Sequence, residues 1–85
     1  MTREEILEGI VEILKSVNTV DQALLSDVNE NTDYINDLGV PSAELVNIIA
    51  KAEDKFDIEF EDDDVDLLGS RVKDIIDLII EAKEK

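Results

Sequence analysis

Apolar residues recur at helical spacing in three stretches of this chain. They lie three or four positions apart over residues 3–17, again over residues 42–55, and again after residue 70. Positions with this spacing share one face of a helix, so each stretch predicts an amphipathic helix with one buried face. The predicted core-facing residues are Ile6, Ile10, Ile13, Leu14 and Val17 in the first helix, Leu45, Ile48, Ile49, Ala52 and Phe56 in the second, and Val72, Ile75, Ile76, Ile79 and Ile80 in the last.

Residue types at the helix starts support these boundaries. Thr2 and Glu5 have the spacing of a capping box, in which each side chain accepts a hydrogen bond from the other residue's backbone amide. Serine is a favoured N-cap, so we expect Ser42 and Ser70 to cap the second and last helices. Gly9 costs about 1 kcal/mol relative to alanine inside a helix and indicates close helix packing there.

The segments between the helices differ in length and composition. Residues 18–40 are rich in Asn, Asp, Ser and Thr and predict a long ordered loop, with a short helical turn near residues 21–25. Residues 57–60 predict an extended link, and residues 61–68 predict a short helix. The loop is expected to be held to the core by apolar anchors: Val20, Leu24, Leu25, Val28, Tyr34, Ile35 and Leu38. The short helix is expected to make apolar contacts through Val65, Leu67 and Leu68.

Together these elements predict an all-α fold. It is a small four-helix bundle with three main helices, a short third helix and a long loop between the first two. The chain has 85 residues, so we expect residues 1–85 to form a single domain with one modest core.

Charge limits the partners of the chain. Eight basic and twenty-three acidic residues give a net charge of −15, and histidine is absent. Such a field repels nucleic acids and anionic membranes and favours partners with basic patches. No apolar run is long enough to span a membrane, and the first residues lack the features of a signal peptide. We therefore expect a monomer in the cytoplasm, bound to neither nucleic acid nor membrane.

The same composition argues against catalysis and metal binding. Without cysteine or histidine, a nucleophilic triad or a transition-metal site has few available ligands, so we expect no enzymatic activity, no catalytic residue and no metal site. Four loop residues alternate like the first ligands of an EF-hand: Asp27, Asn29, Asn31 and Asp33. However, Thr32 stands where an EF-hand needs glycine, and Leu38 where it needs a bidentate glutamate. A polar loop rich in turn-forming residues is the interpretation we prefer.

Ser42 is the candidate functional residue. A turn at Gly39 and the restricted backbone of Pro41 lead into it, and the second helix starts there. The free amides and the dipole at a helix start stabilise negative charge, so this position suits a phosphodiester. The acidic residues that follow predict a docking face for a basic partner: Glu44, Glu53, Asp54 and Asp57.

The segment DLGVPSAELVNIIAKAEDKFDIEFEDDD, residues 37–64, resembles the acyl carrier protein family. The Asp-Leu-Gly turn at residues 37–39 matches the family pattern, and Ser42 falls on its modified serine. The resemblance implies a 4'-phosphopantetheine arm on Ser42, transferred from coenzyme A by a phosphopantetheinyl transferase. The thiol of the arm would hold an acyl or related group as a thioester, and acyl-handling enzymes with basic docking patches would be the partners.

Three residues depart from the family pattern. The aspartate before the serine is Pro41 here, the leucine after it is Ala43, and Asn47 stands on the docking face where the family often has glutamate. In the family, the neighbours of the serine help the transferase to recognise the site. An alternative therefore stays open, in which the chain is an unmodified acidic module that binds a basic protein partner. A calcium-responsive protein is a third hypothesis.

Overall fold

The computed structural model describes residues 2–17 and 20–84. Asn18 and Thr19, which fall in the predicted long loop, lie outside the described residues. The helices are α1 (Arg3–Lys15), a 3₁₀ helix (Gln22–Asp27), α2 (Ser42–Phe56), α3 (Asp62–Asp66) and α4 (Val72–Glu84). This arrangement confirms the all-α fold with three main helices, a short third helix and a long loop. The helical turn predicted near residues 21–25 is the 3₁₀ helix.

The core consists almost entirely of aliphatic side chains from α1, α2, α4 and the loop. Burial follows the predicted stripes closely, although Leu45 and Ile80 are only half-buried. The anchors Val20, Leu25, Tyr34 and Leu38 are buried in the same core. The prediction was wrong for two other anchors: Leu24 and Ile35 are 42% and 37% exposed.

Helix α1 begins with the predicted capping box. The Glu5 amide donates to Thr2 Oγ1 at 3.2 Å, and the Thr2 amide donates to Glu5 Oε1 at 3.0 Å. Inside the helix, a Cβ atom on Gly9 would lie 2.5 Å from Cζ of Phe56 at the end of α2. Glycine therefore allows the close approach of α1 and α2 at this point, which confirms the close packing inferred from the sequence.

The second half of the loop is tied to the start of α4. The Tyr34 hydroxyl donates to the carbonyl of Gly69 at 2.6 Å, and the Tyr34 amide donates to the carbonyl of Ser70 at 2.9 Å. The Ser70 hydroxyl donates to Asp33 Oδ2 at 3.0 Å. These bonds fix the segment that leads into α2 against the rest of the bundle.

Ser70 consequently does not cap α4, contrary to the sequence prediction. Helix α4 starts at Val72, and the amide of Arg71 donates to Asp74 Oδ2 at 3.1 Å. The amides of Val72 and Lys73, which a cap at Ser70 was expected to satisfy, donate instead to the loop carbonyls of Thr32 and Glu30, each at 2.9 Å. Among the described helices, none is long and apolar enough to cross a membrane.

Candidate functional site

The turn before α2 is a short, self-contained structure. The amides of Asp37 and Leu38 donate to the carbonyl of Asp33, and the amide of Gly39 donates to the carbonyl of Ile35 at 3.1 Å. Gly39 has φ +71°, a left-handed conformation that glycine adopts without steric cost. Its neighbours Leu38 and Val40 are both buried. The turn is therefore anchored on either side of Gly39 and presents the glycine to solvent.

Asp33 organises this turn through its carboxylate. Oδ1 accepts hydrogen bonds from the amides of Ile35 and Asn36 at 2.9 and 2.8 Å, and Oδ2 accepts from the Asn36 side-chain amide and the Ser70 hydroxyl. The hydrogen bonds from Asn36, with those from Ser70 and Ile35, lower the pKa of Asp33 to about 2. The carboxylate therefore stays charged and holds the turn over the whole physiological pH range.

Ser42 is exposed and is the first residue of α2. The N-cap position is taken by Pro41, with φ −64° and ψ 144°, and no side chain caps this helix. The prediction that Ser42 is the N-cap was therefore wrong, because the extended proline backbone already forms the entry to the helix. Within the described chain, the Ser42 hydroxyl makes no hydrogen bond.

Backbone amides at the start of α2 are also free to donate hydrogen bonds. The Glu44 amide donates to the carbonyl of Pro41 at 2.9 Å, whereas the amides of Ser42 and Ala43 donate to no described residue. A helix of fifteen residues adds its dipole at this point. The start of α2 therefore combines an unengaged hydroxyl with free amides and a positive partial charge.

The predicted docking residues fall into two groups along α2. Glu44 and Asn47 lie in its first turns, where the Asn47 side-chain amide donates to Glu44 Oε2 at 3.2 Å. Glu53, Asp54 and Asp57 lie at its C-terminal end. At a rise of about 1.5 Å per residue, the centres of the two groups are roughly 14 Å apart and their outermost members roughly 20 Å apart. A partner that contacts both must therefore cover the length of α2.

The C-terminal group lines a large acidic groove. The groove has a volume of about 850 Å³ and is bounded by Glu53, Asp54 and Asp57 together with Glu59 and Glu61 of the following segment. Part of this charge has a structural role, because Glu53 Oε2 accepts a hydrogen bond from the Phe60 amide at 3.0 Å. The exposed side chains of Asp54 and Asp57 are better placed to meet a partner.

A second groove lies between α2 and α3 and was not identified from the sequence. Its volume is about 290 Å³, and Val46, Ala50 and Val65 contribute apolar surface to it. Val46 is 69% exposed, although it belongs to the amphipathic helix α2. The sequence did contain a signal for this groove, because Val46 lies outside the i, i+3, i+4 stripe of α2. An apolar residue on the polar face of a helix suggests a contact with another molecule or segment.

The calcium hypothesis finds no support in the loop geometry. The amide oxygen of Asn29 accepts a hydrogen bond from the Asn31 amide at 2.8 Å, and the Asn29 amide donates to the Thr32 hydroxyl. Asp33 is engaged by the turn and by Ser70. In residues 2–17 and 20–84, no group of three or more His, Cys, Asp or Glu side chains is arranged to hold a metal ion.

The fold and the site define an acidic helical protein that presents an unengaged serine at the start of its second helix. No family model matches the chain. It is 35% identical over 82 residues to an acyl carrier protein of Acidothermus cellulolyticus, a match that covers 96% of this chain and 93% of that protein. It is 33% identical over 79 residues to an acyl carrier protein of Coprothermobacter proteolyticus, which covers 93% of this chain and 92% of that protein.

A third relative has a more specialised name. The meromycolate extension acyl carrier protein of Mycobacterium tuberculosis is 31% identical over 86 residues, covering 100% of this chain and 70% of that protein. The first two matches cover more than nine-tenths of both proteins, and the third covers the whole of this chain. The chain belongs to the acyl carrier protein family.

Proposed function

We propose that this protein is an acyl carrier whose Ser42 is modified with 4'-phosphopantetheine. The observation that carries the proposal is the exposed, unbonded hydroxyl of Ser42 at the first position of α2. The chain contributes no catalytic group in this scheme, because the transferase and the acyl-handling enzymes perform the chemistry. The bound group supplies a thiol, which this cysteine-free chain lacks, for holding an acyl group as a thioester.

The residues at the start of α2 fit the phosphodiester that this modification requires. In the transfer, Ser42 Oγ forms a bond to the phosphorus next to the pantetheine of coenzyme A. The pyrophosphate bond breaks, adenosine 3',5'-bisphosphate leaves, and the hydroxyl proton passes to a base of the transferase. The free amides of Ser42 and Ala43 and the dipole of α2 stabilise the resulting negative charge.

The acidic surface along α2 is the proposed docking site for the transferase and for the acyl-handling enzymes. Asp54 and Asp57 are its exposed charged members, and Glu44, Asn47 and Glu53 complete it. Complementary charge accelerates the encounter of two proteins more than it tightens their complex, which suits a carrier that visits many enzymes. Replacing Asp54 with lysine should therefore lower the association rate, whereas Glu84→Lys at the end of α4 serves as the matched control.

Intact mass spectrometry tests the modification directly. The purified protein is incubated with coenzyme A and each of several transferases, and the mass should rise by one phosphopantetheine. Ser42→Ala should abolish this gain while leaving the circular dichroism spectrum unchanged. Ser26→Ala is the matched control, because Ser26 is also exposed, on the 3₁₀ helix, and should not affect loading. Failure of every transferase would favour the alternative of an unmodified acidic module with a basic partner.

The neighbours of Ser42 bear on which transferase acts. Pro41 and Ala43 are both exposed, so they meet the transferase without affecting the core. Pro41→Asp restores a carboxylate that a basic group can pair with, a charge-assisted contact worth about 1.5–3 kcal/mol. We expect this variant to be loaded at least about tenfold faster by a transferase that serves carriers with aspartate at this position. Equal rates for both proteins would show that Pro41 does not impair recognition.

The α2–α3 groove is the proposed resting place for a short acyl chain. Val46, Ala50 and Val65 line it, and the adjacent core is aliphatic and adaptable. Attaching a short acyl chain should shift the amide resonances of these residues and of the core. Unchanged spectra would exclude this part of the proposal without affecting the modification of Ser42.

A further inference from the structure

The most exposed large apolar side chain in the described residues belongs to Leu67, which follows α3. The sequence predicted an apolar contact at this position, but the side chain is 86% exposed, whereas its neighbours Val65 and Leu68 are half-buried. That prediction was therefore wrong for Leu67. An isolated leucine on a surface is common, so its surroundings decide whether it has a function.

Leu67 borders a groove between α3 and α4. The groove has a volume of about 250 Å³, and Leu68 and Leu78 contribute further apolar surface to it. Leu78 belongs to α4 and is 7% exposed. The sequence pattern assigned it neither to the core nor to a functional site. None of the residues lining this groove belongs to α2, so it is a surface separate from the proposed docking site of the acyl-handling enzymes.

The rim of the groove is acidic. Asp74, Asp77 and Glu81 project from α4 along one side, and Asp64 of α3 lies on the other. The Asp77 carboxylate pairs with Arg3 at 2.7 Å, and Asp74 caps the start of α4, whereas Glu81 is exposed. Among residues 2–17 and 20–84, no lysine or arginine lines the groove. An apolar floor with a carboxylate rim complements an amphipathic segment that carries both apolar and basic side chains.

Charge excludes the other possible occupants. A second copy of this chain also carries a net charge of −15, so two such surfaces repel each other. An anionic lipid surface is repelled for the same reason. A helix with leucine on one face and lysine or arginine beside it satisfies both features of the groove.

We propose that the α3–α4 groove at Leu67 is a second docking surface, which binds a basic amphipathic helix of a partner protein. Because it shares no residue with α2, a partner bound there leaves Ser42 and the acidic face of α2 accessible. Such a surface would hold the carrier on an assembly while acyl-handling enzymes act at α2. Binding at this surface does not depend on whether Ser42 is modified.

A defined peptide tests this surface. The probe is a synthetic helix of about 18 residues, made of leucine and lysine at helical spacing, with a scrambled peptide of the same composition as its control. It is titrated into isotope-labelled protein at moderate salt, and amide shifts are followed by NMR. The expected result is saturable binding with the largest shifts at residues 67–69 and 78, and markedly weaker binding of the scrambled peptide.

Two matched variants locate the contact. Leu67→Ser should weaken binding at least about tenfold, because burying a leucine contributes strongly to a contact of this kind. Val46→Ser changes a comparably exposed side chain in the α2–α3 groove and should leave the affinity within about twofold. Both residues are mostly exposed, so both variants should fold, and melting curves verify this. Glu81→Lys should also weaken binding, and Ser42→Ala should not change it.

Three results would overturn the proposal. They are equal affinity of the two peptides, equal effects of Leu67→Ser and Val46→Ser, and shifts centred on α2 instead of on the α3–α4 groove. Each would show that the peptide responds to overall charge or to the α2 surface. Failure of this test leaves the loading of Ser42 unaffected, since that modification is measured by mass.

Discussion

An alanine at position 9 provides a quantitative test of the contact between α1 and α2. The added Cβ would lie 2.5 Å from Cζ of Phe56 and 3.1 Å from its Cε1, whereas ordinary van der Waals contact begins at 3.4 Å. The ring or the helix must therefore shift by 3.4 − 2.5 = 0.9 Å. Phe56 is only 3% exposed and packs in the core, so a shift of its ring disturbs buried contacts.

Two opposing effects set the magnitude. Overpacking a core costs about 1–3 kcal/mol, while replacing glycine with alanine inside a helix contributes about 1 kcal/mol of stability. The net expectation is a loss of about 1 kcal/mol in the free energy of unfolding. In a domain of this size, that loss corresponds to a decrease of about 4–8 °C in Tm.

Urea unfolding followed by circular dichroism measures the change. Phe56→Leu supplies the control, because leucine lacks the two ring atoms that the new Cβ would meet. Gly9→Ala should be stabilising in that background, so the double-mutant cycle should show a favourable coupling of about 1–2 kcal/mol. The reasoning is refuted if Gly9→Ala raises the stability of the protein with the native Phe56.

Three further predictions concern the loop and the charge. Tyr34→Phe removes the hydrogen bond to the Gly69 carbonyl and should cost about 1–3 kcal/mol in urea unfolding at neutral pH. Burial, with the nearby charges of Asp74 and Asp33, raises the pKa of Tyr34 to about 12. Above the ordinary pKa of 10.0, the unfolded chain loses its proton first, so the native protein should lose stability between pH 10 and about 12. This loss should be smaller in Tyr34→Phe, and identical alkaline profiles would contradict the assignment. For Asp33, the pKa is lowered from 3.8 to about 2, so its stabilising effect is complete above pH 3.8 and disappears towards pH 2. Asp33→Asn should therefore be less stable than the native protein at neutral pH, with a difference that shrinks on acidification, and a constant difference would count against this. Finally, the net charge of −15 on 85 residues implies strong self-repulsion, so raising salt from about 0.01 M to about 0.1 M should raise Tm. An unchanged Tm over this range would show that repulsion does not limit stability.

Much of the fold follows from local sequence patterns. Helices α1, α2 and α4 appear where apolar residues recur at helical spacing, since a helix of this kind is stable only with that face buried. The capping box at Thr2 and Glu5 and the close approach at Gly9 are equally local. The same holds for the position of Ser42 at the start of α2, because Pro41 cannot continue inside a helix.

The sequence was less informative where polar side chains have distant partners. Ser70 was expected to cap α4, but its hydroxyl bonds to Asp33, thirty-seven positions earlier. Glu53 was assigned to docking, and its carboxylate also holds the Phe60 amide. A hydrogen-bonding residue has several possible partners nearby, and the packing of the chain determines which of them lies within reach.

The sequence by itself therefore determined the helices, their buried faces and the serine that begins α2. Only the tertiary structure decided which surface residues are accessible. The sequence pattern assigned Leu67 to an apolar contact and left Val46 unexplained. Both residues are exposed, one on either side of α3. The physical reason is that periodicity specifies the direction of a side chain relative to its own helix, whereas exposure depends on which other helix packs against that face.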